Sequence, residues 1–522
     1  MELASHYCHQ LGCLKIMLVS TVLVASSACT GDFEDINRNP YHVTAEEMKR
    51  DGYNVGASLV GLQSFVIPVD LHLNQFQECL AGCAFAGYMA STPEWTARFA
   101  TYNAPVDWNR APFNDLITGI YPYREQLHSI SDDPTILALG ELFRIASMHR
   151  VTDTYGPIPY SRMTGSGLTS AYDSQKDAYN FMLQGLNDLI ETLYDNRFND
   201  ASYYAKYDNV YGGDLEKWIK FANSLKLRMA MRIVYVDPER ARQEAESAIA
   251  HPIGVMTTNA DNALLKVTTN PIYTQVYEWQ DERVGADIAC YMNGYNDPRR
   301  AAYFTVSGFA GNPYAGLRSG IDVASKSATD AFSAPIVGVT DPIMWMNAAE
   351  VSFLRAEGAL RGWNMGGGSA QEWYNNGITL SFGQYGIAGA EAFLNDDTST
   401  PSNFTDPLGN SGHNFSALST IKIKWNGAAG LEENLERIIT QKWIANFPLG
   451  MESWAEFRRT GYPRLALVVQ NKSGGTVPPG TYIRRLPFPD TEYQENRDNV
   501  RDAVGMLGGS DTQGTKLWWD KK

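Results

Sequence analysis

The stretch 215–233, LEKWIKFANSLKLRMAMRI, places Trp218, Phe221, Ala222, Leu225 and Met229 at spacings of three and four. Those spacings put the five side chains on one stripe of an α-helix, and a strand would scatter them over both faces. That stripe lies within a helix-length amphipathic segment near 214–235, and others recur near 44–64, 70–89, 112–130, 134–151, 173–195, 238–250, 347–361, 369–384, 431–446 and 449–459. The first of them opens on Thr44 and Glu47, which have capping-box spacing. No clean short repeat shows, but helix pairs of this length joined by short turns fit a degenerate tetratricopeptide-like solenoid. The pattern lapses in 252–346 and 385–430, which are rich in Gly, Pro, Asn, Thr and aromatics. They read as loop-rich insertions with short strands, and long loops on a rigid scaffold carry function. The expected fold is mostly α, a tetratricopeptide-like helical-pair scaffold with two large insertions, in one domain over 44–522.

Ahead of the scaffold lies the apolar run Ile16–Ala25, flanked by Lys15 and followed by Ser26, Ser27, Ala28 and Cys29. The run has the length of a signal-peptide core and is too short to span a bilayer. Small residues before a cysteine suit a lipoprotein signal peptidase, so 1–28 reads as signal, Cys29 as the lipidated residue and 29–43 as a tether. An ordinary secretory signal that leaves Cys29 a free thiol is the alternative. An exposed unpaired thiol is reactive, which favours lipidation.

The chain of 522 residues is 44% hydrophobic and 19% charged, so it is globular. Its net charge of −15 repels phosphate backbones, and no nucleic-acid partner is expected. Beyond the signal no apolar run is expected to be long enough for a membrane helix. Besides Cys29 the mature chain has Cys79, Cys83 and Cys290, too few for a disulfide framework. Cys79 and Cys83 lie at i, i+4 with His72 on roughly the same face. A buried core face explains them better than a soft-metal site, and no metal or cofactor is expected.

Catalytic signatures are absent: no G-x-S-x-G, no H-E-x-x-H and no Walker A loop occurs. Glu350 and Glu357 face one side of a helix, and helical geometry puts their backbones about 10.5 Å apart. Glycosidase carboxylates need a sugar bond between them, and the apolar surroundings Ala348-Ala349 and Phe353-Leu354 favour packing. Asn395-Asp396-Asp397 and Asp208-Asn209 offer oxygen ligands, but neither fits an EF-hand loop, and loop solvation is the default. The chain is read as a binding protein, not an enzyme.

Several segments together resemble the SusD/RagB family of nutrient-binding outer-membrane lipoproteins, in its SusD-like branch. They are Arg150–Ser161 (RVTDTYGPIPYS); Tyr211–Asp214 with Trp218–Arg228; Ala349–Val351 through Ala356–Trp363; Gln441–Ala445; Glu452–Trp454 with Arg458–Pro463; and Arg484-Arg485 with Pro487, Pro489 and Asn496. The acidic stretch Asp32–Asp35 after Cys29 resembles the surface-export signal of Bacteroidetes lipoproteins. These hallmarks read as scaffold. Pro157 and Pro159 hold an extended segment after a helix end, and Arg458-Arg459 before Gly461 suits a helix C-terminus.

The resemblance implies a lid-like partner of a TonB-dependent outer-membrane transporter, displayed at the cell surface on a lipid anchor, that captures nutrient without cleaving it. It also implies an aromatic arc that cups a glycan, drawn from the early loops and the first insertion. The loop aromatics there are Trp95, Tyr102 and Trp108, then Trp279 and Tyr295, which are the expected ligand-binding residues. Loops rich in Trp, Tyr and Asn favour an oligosaccharide over a peptide. A peptide-binding family member, a lipid-anchored glycosidase and a scaffold that binds only protein are the alternatives.

The N-terminal reading is tested by mass spectrometry of the mature protein. The expected species begins at an acylated Cys29, and a Cys29→Ala protein that stays membrane-bound contradicts it.

Overall fold

The hydrophobic period and the caps decide where helices form, as the computed structural model shows over the residues it describes, 52–163 and 169–522. The signal 1–28, Cys29, the tether 29–43 and the Thr44 capping box lie outside the described residues. The main helices are α1 (Tyr53–Val66), α2 (Leu71–Asn74, continuing as a π-helix over Gln75–Cys83), α3 (Leu116–Ile130), α4 (Pro134–Tyr155), α5 (Gln175–Asp195), α6 (Leu215–Arg232), α7 (Pro238–Ala250), α8 (Ala348–Leu360), α9 (Ala370–Gln384), α10 (Leu431–Ala445) and α11 (Gly450–Thr460). Side-chain caps start most of them, though not α3, α10 or α11. Asp133 accepts the Thr135 amide at 2.8 Å, Asp214 the Lys217 amide at 3.1 Å, and Ser369 with Glu372 forms a capping box. Each such cap is worth about 1 kcal/mol.

Neighbours in sequence pack as neighbours in space: α3 on α4, α4 on α5, α5 on α6, α6 on α7, then α8 on α9 and α10. α11 returns to cross α2, and the backbones nearly touch there. A Cβ on Gly82 would lie 2.6 Å from the Met451 nitrogen, and one on Gly450 2.3 Å from the Cys83 nitrogen. The first insertion holds three of the four short strands, and the second holds only an isolated bridge between Phe404 and Phe415. β1 (Met89–Ser91) pairs antiparallel with β3 (Glu282–Val284), and β2 (Ala263–Leu265) pairs antiparallel with β4 (Ile343–Met346). A helix at Ala286–Gly294 and another at Arg497–Met506 lie where no helix was expected. The first is short and almost wholly buried, so it shows no polar face to carry a period. The second buries only Val500 and Ala503.

One expectation about hydropathy fails. By length and composition the run Tyr53–Cys83 passes for a membrane-crossing helix, with a window of mean hydropathy 1.3. A turn at 67–70 interrupts it, and its polar Asn74, Gln75, Gln77 and Glu78 are buried inside the protein, as befits a core element.

The family-like motifs converge on a buried ion network. Arg232 of α6 sits at its centre, donating to Glu456 at 2.7 Å and to both oxygens of Glu452 at 2.7 Å, with Asp153 at 3.2 Å. One turn earlier Arg228 forks onto Glu350 at 2.8 and 2.7 Å. Arg459 forks onto Glu357 at 2.7 and 2.6 Å and onto Glu456 at 2.8 Å. Lys442 lies 3.0 Å from Glu456, and Arg361 pairs with Glu357 at 2.8 Å. Arg228, Arg232, Arg361, Lys442 and Arg459 balance Asp153, Glu350, Glu357, Glu452 and Glu456 charge for charge. Arg459 is therefore spent on carboxylates, not on the helix dipole. Gly461 does close α11 in the left-handed region, at φ 77°. Arg485 donates to the last carbonyl of α4, Tyr155, at 2.8 Å.

Burial alone would raise these carboxyls. Instead Arg459 and Arg361 hold Glu357 at about 2, and Arg232, Arg228 and Lys442 hold Glu452 at about 2. Asp153 moves the other way, raised by burial in spite of Arg232. A buried pair that loses one partner typically costs about 3–5 kcal/mol, because a charge is left unpaired without water. Arg232→Met should lower the unfolding free energy by that amount in urea titration. A carboxyl depressed in the fold stabilises fully above its unfolded value of about 4.3 and loses that contribution as pH falls toward the folded value. Stability from Glu357 and Glu452 should hold above about pH 5 and fall between roughly pH 4.5 and 2, read by acid titration of helical circular dichroism.

Candidate functional site

The outward face of α2 organises the surface opposite its buried polar side. His72 and Phe76 are the ring-bearing residues of α2, and neither is fully buried. His72 is exposed and Phe76 half-buried. Trp279 stacks on His72, with ring centroids 5.6 Å apart and 23° between planes. Trp108 lies 5.1 Å from Phe76, and Trp95 meets Trp108 edge-on at 4.9 Å. The rings of Trp279, His72, Phe76, Trp108 and Trp95 thus form a half-exposed aromatic ridge. It draws on the early loops, α2 and the first insertion. Glu94, Asp107, Glu278 and Gln280 are exposed beside ridge residues in the chain and offer polar groups around the rings.

Three of the five expected binding aromatics, Trp95, Trp108 and Trp279, lie on this ridge. The other two are core residues. Tyr102 is 4% exposed and packs by Phe85, and Tyr295 is 2% exposed with its hydroxyl donating to the Ile421 carbonyl at 2.9 Å. Burial pushes both phenols up. Neither has a ring face to offer a ligand. Sequence reasoning missed Phe76 and misread His72, which was grouped with Cys79 and Cys83. Those cysteines are wholly buried, while His72 turns outward. The change from α- to π-helix at Gln75 shifts the angular register, so faces counted on an α-helix no longer apply beyond it.

A latch joins the two arms of the ridge. Asp281 accepts from Gln75 of α2 at 2.6 Å and pairs with Lys326, whose ammonium also donates to the Trp279 carbonyl at 2.7 Å. Beside it the β1–β3 ribbon runs on through the Thr92 amide to the Asp281 carbonyl at 2.9 Å. The Thr92 hydroxyl donates to the Gln280 carbonyl. Gln280 itself is held in the left-handed region at φ 57°, a conformation a non-glycine residue adopts only when its surroundings over-determine it. Arg98, 2% exposed, anchors the Trp95 loop by donating to Asp322 at 2.7 Å and to the Ile321 carbonyl at 2.8 Å. Burial raises the Asp281 carboxyl despite Lys326 and Gln75.

Other acidic candidates are spent. Glu350 and Glu357 are 0% and 1% exposed and saturated by arginines, so this pair has no access to substrate. Asp208 accepts the amides of Val210, Tyr211 and Gly213 and the Trp218 indole N–H. Asp396 caps Thr398 and Ser399 of its own loop. Among the described residues no group of three His, Cys, Asp or Glu side chains is arranged to hold a metal.

The sequence matches, over residues 35–520, the family described as SusD-like, SusD and RagB outer membrane lipoproteins. Among curated proteins none matches the chain. Solved structures are similar throughout. A SusD homologue from Bacteroides thetaiotaomicron is 45% identical with TM-score 0.86, covering 90% of this chain and 99% of that one. One from Bacteroides uniformis is 42% identical with TM-score 0.85, covering 90% and 100%. A chitin-binding SusD homologue from Flavobacterium johnsoniae is 38% identical with TM-score 0.84, covering 90% and 99%.

The latch predicts a local effect. Asp281→Ala should speed amide exchange across 274–281 by about tenfold, while the melting temperature falls by only a few degrees. Unchanged exchange there would show that the ridge arms are held by other contacts.

Proposed function

From its place in the SusD/RagB family of outer membrane lipoproteins, to which this chain belongs, we propose that it captures oligosaccharide at the cell surface. It then passes the glycan to a TonB-dependent outer-membrane transporter. The observation that carries the reading is the aromatic ridge of Trp95, Trp108, Phe76, His72 and Trp279. Sugar rings present apolar C–H faces that stack on aromatic rings, and their hydroxyls need polar partners such as those beside the ridge. The scaffold holds the rings in place beforehand, which lowers the ordering cost of binding. The chitin-binding relative supports a glycan as ligand class. Cys29 supplies the anchor, and the work is capture and delivery without bond cleavage.

Binding on an open platform displaces well-held water, so affinity should lie in the micromolar to millimolar range, about 4–8 kcal/mol. Isothermal titration with a panel of neutral oligosaccharides tests the site. Trp108→Ala and Trp279→Ala should each weaken binding at least about tenfold, or about 1.4 kcal/mol, with helical circular dichroism unchanged. Tyr102→Phe should bind like the parent, since its ring is in the core. Parent-like binding by both tryptophan variants would refute the ridge. Binding of peptides but not glycans would change the ligand class, and shortening of the glycan would make the protein an enzyme.

A further inference from the structure

The second insertion supplies none of the ridge rings, yet it walls a separate open cleft of about 750 Å³ with the start of α10 and Arg464. That volume is within the range of small-ligand sites, about 300–1,000 Å³. Its wall is an irregular segment, bent at Ile423 and Lys424 and held by hydrogen bonds. Ile421 and Ile423 point into the core, and their carbonyls accept from the hydroxyls of Tyr295 at 2.9 Å and Tyr374 at 2.6 Å. Lys422 and Lys424, alternating with them, are exposed. Behind Lys422 its carbonyl accepts from Arg437, a guanidinium 3% exposed, at 3.1 Å. Trp425 is half-buried and backed by Tyr374, with centroids 5.5 Å apart.

The charge of this cleft runs against that of the chain. Lys422, Lys424, Arg437 and Arg464 face Asp397, Glu433 and Glu436, a surplus of one cation in a protein of net charge −15. Three of the four cations meet an acid of the same cleft: Arg437 with Glu433 at 3.0 Å, and more loosely Lys424 with Asp397 at 3.7 Å and Arg464 with Glu436 at 3.7 Å, Glu436 also accepting from the Ser419 hydroxyl at 2.5 Å. Lys422 has no ion-pair partner among the described residues. We propose that this cleft is a second saccharide site, for a sugar carrying a carboxylate or a sulfate. Trp425 takes the ring face, and Lys422, Lys424 and Arg464 take the anion. The proposal rests on the chain being a saccharide binder and is independent of the ridge.

Isothermal titration of the full soluble chain with tetragalacturonate, a heparin-derived tetrasaccharide and neutral chitotetraose tests it. Tetragalacturonate carries carboxylates alone and the heparin fragment carries sulfates as well, so binding of the second without the first assigns the sulfate. At least one charged probe should bind, and raising salt from 50 to 300 mM should weaken it several-fold. Lys422→Glu/Lys424→Glu, which changes only exposed side chains, should weaken that binding at least about tenfold, as should Trp425→Ala. Trp108→Ala should leave it unchanged. If neither charged probe binds, or if the lysine double variant binds like the parent, the proposal is wrong. It is equally wrong if Trp108→Ala alone abolishes binding, since the charged sugar then sits on the ridge. Failure of chitotetraose on the parent bears on the ridge and not on the cleft.

Discussion

Arg232 is the residue on which the rest of the fold turns. Its guanidinium is 1% exposed and reaches Asp153 of α4 and Glu452 and Glu456 of α11 from α6. Through Glu456 it is coupled to Arg459, and through Arg459 to Glu357 of α8. A buried ion network adds little net stability over an apolar core of equal volume, because desolvation consumes most of the Coulombic gain. What it does add is a penalty for error. A helix displaced by one turn leaves a charge in the core without a partner, and that costs several kcal/mol. The ten charges balance, so the arrangement is self-consistent in one packing of these helices.

That packing reaches the surface through α2. Its buried Glu78 forms an ion pair with Arg150 of α4, and its Gly82 lets the α11 backbone approach. The same helix turns His72 and Phe76 outward. An element locked on its inner side by charge and close backbone contact thus carries rings on its outer side. Around it, the Asp281 latch and the β1–β3 ribbon fix loops that have few helical contacts of their own. A platform of this kind is ordered without any closure.

Two kinds of reading from the sequence fared differently. Helix positions were legible because periodicity and caps are local: α5, α6, α7 and α9 lie within two residues of where the pattern puts them. The motif charges were legible as scaffold residues, but their partners were not. Arg459 looked like a helix-end cation and proved to be a bridge to Glu357, more than a hundred residues away in sequence. The direction of a loop aromatic was not legible either. Trp95 and Tyr102 sit in the same short segment with similar neighbours, and one ends half-exposed while the other enters the core.

The sequence by itself determined the long amphipathic helices, the loop-rich insertions and the family, since each is written in local spacing or in motif order. Only the tertiary structure decided which carboxylates are neutralised by arginine, which aromatics reach the surface and that His72 joins Trp279 in one ridge. Those outcomes depend on contacts between segments two hundred residues apart, such as Gln75 with Asp281. No local period encodes such contacts, because burial and pairing are properties of the whole packed core.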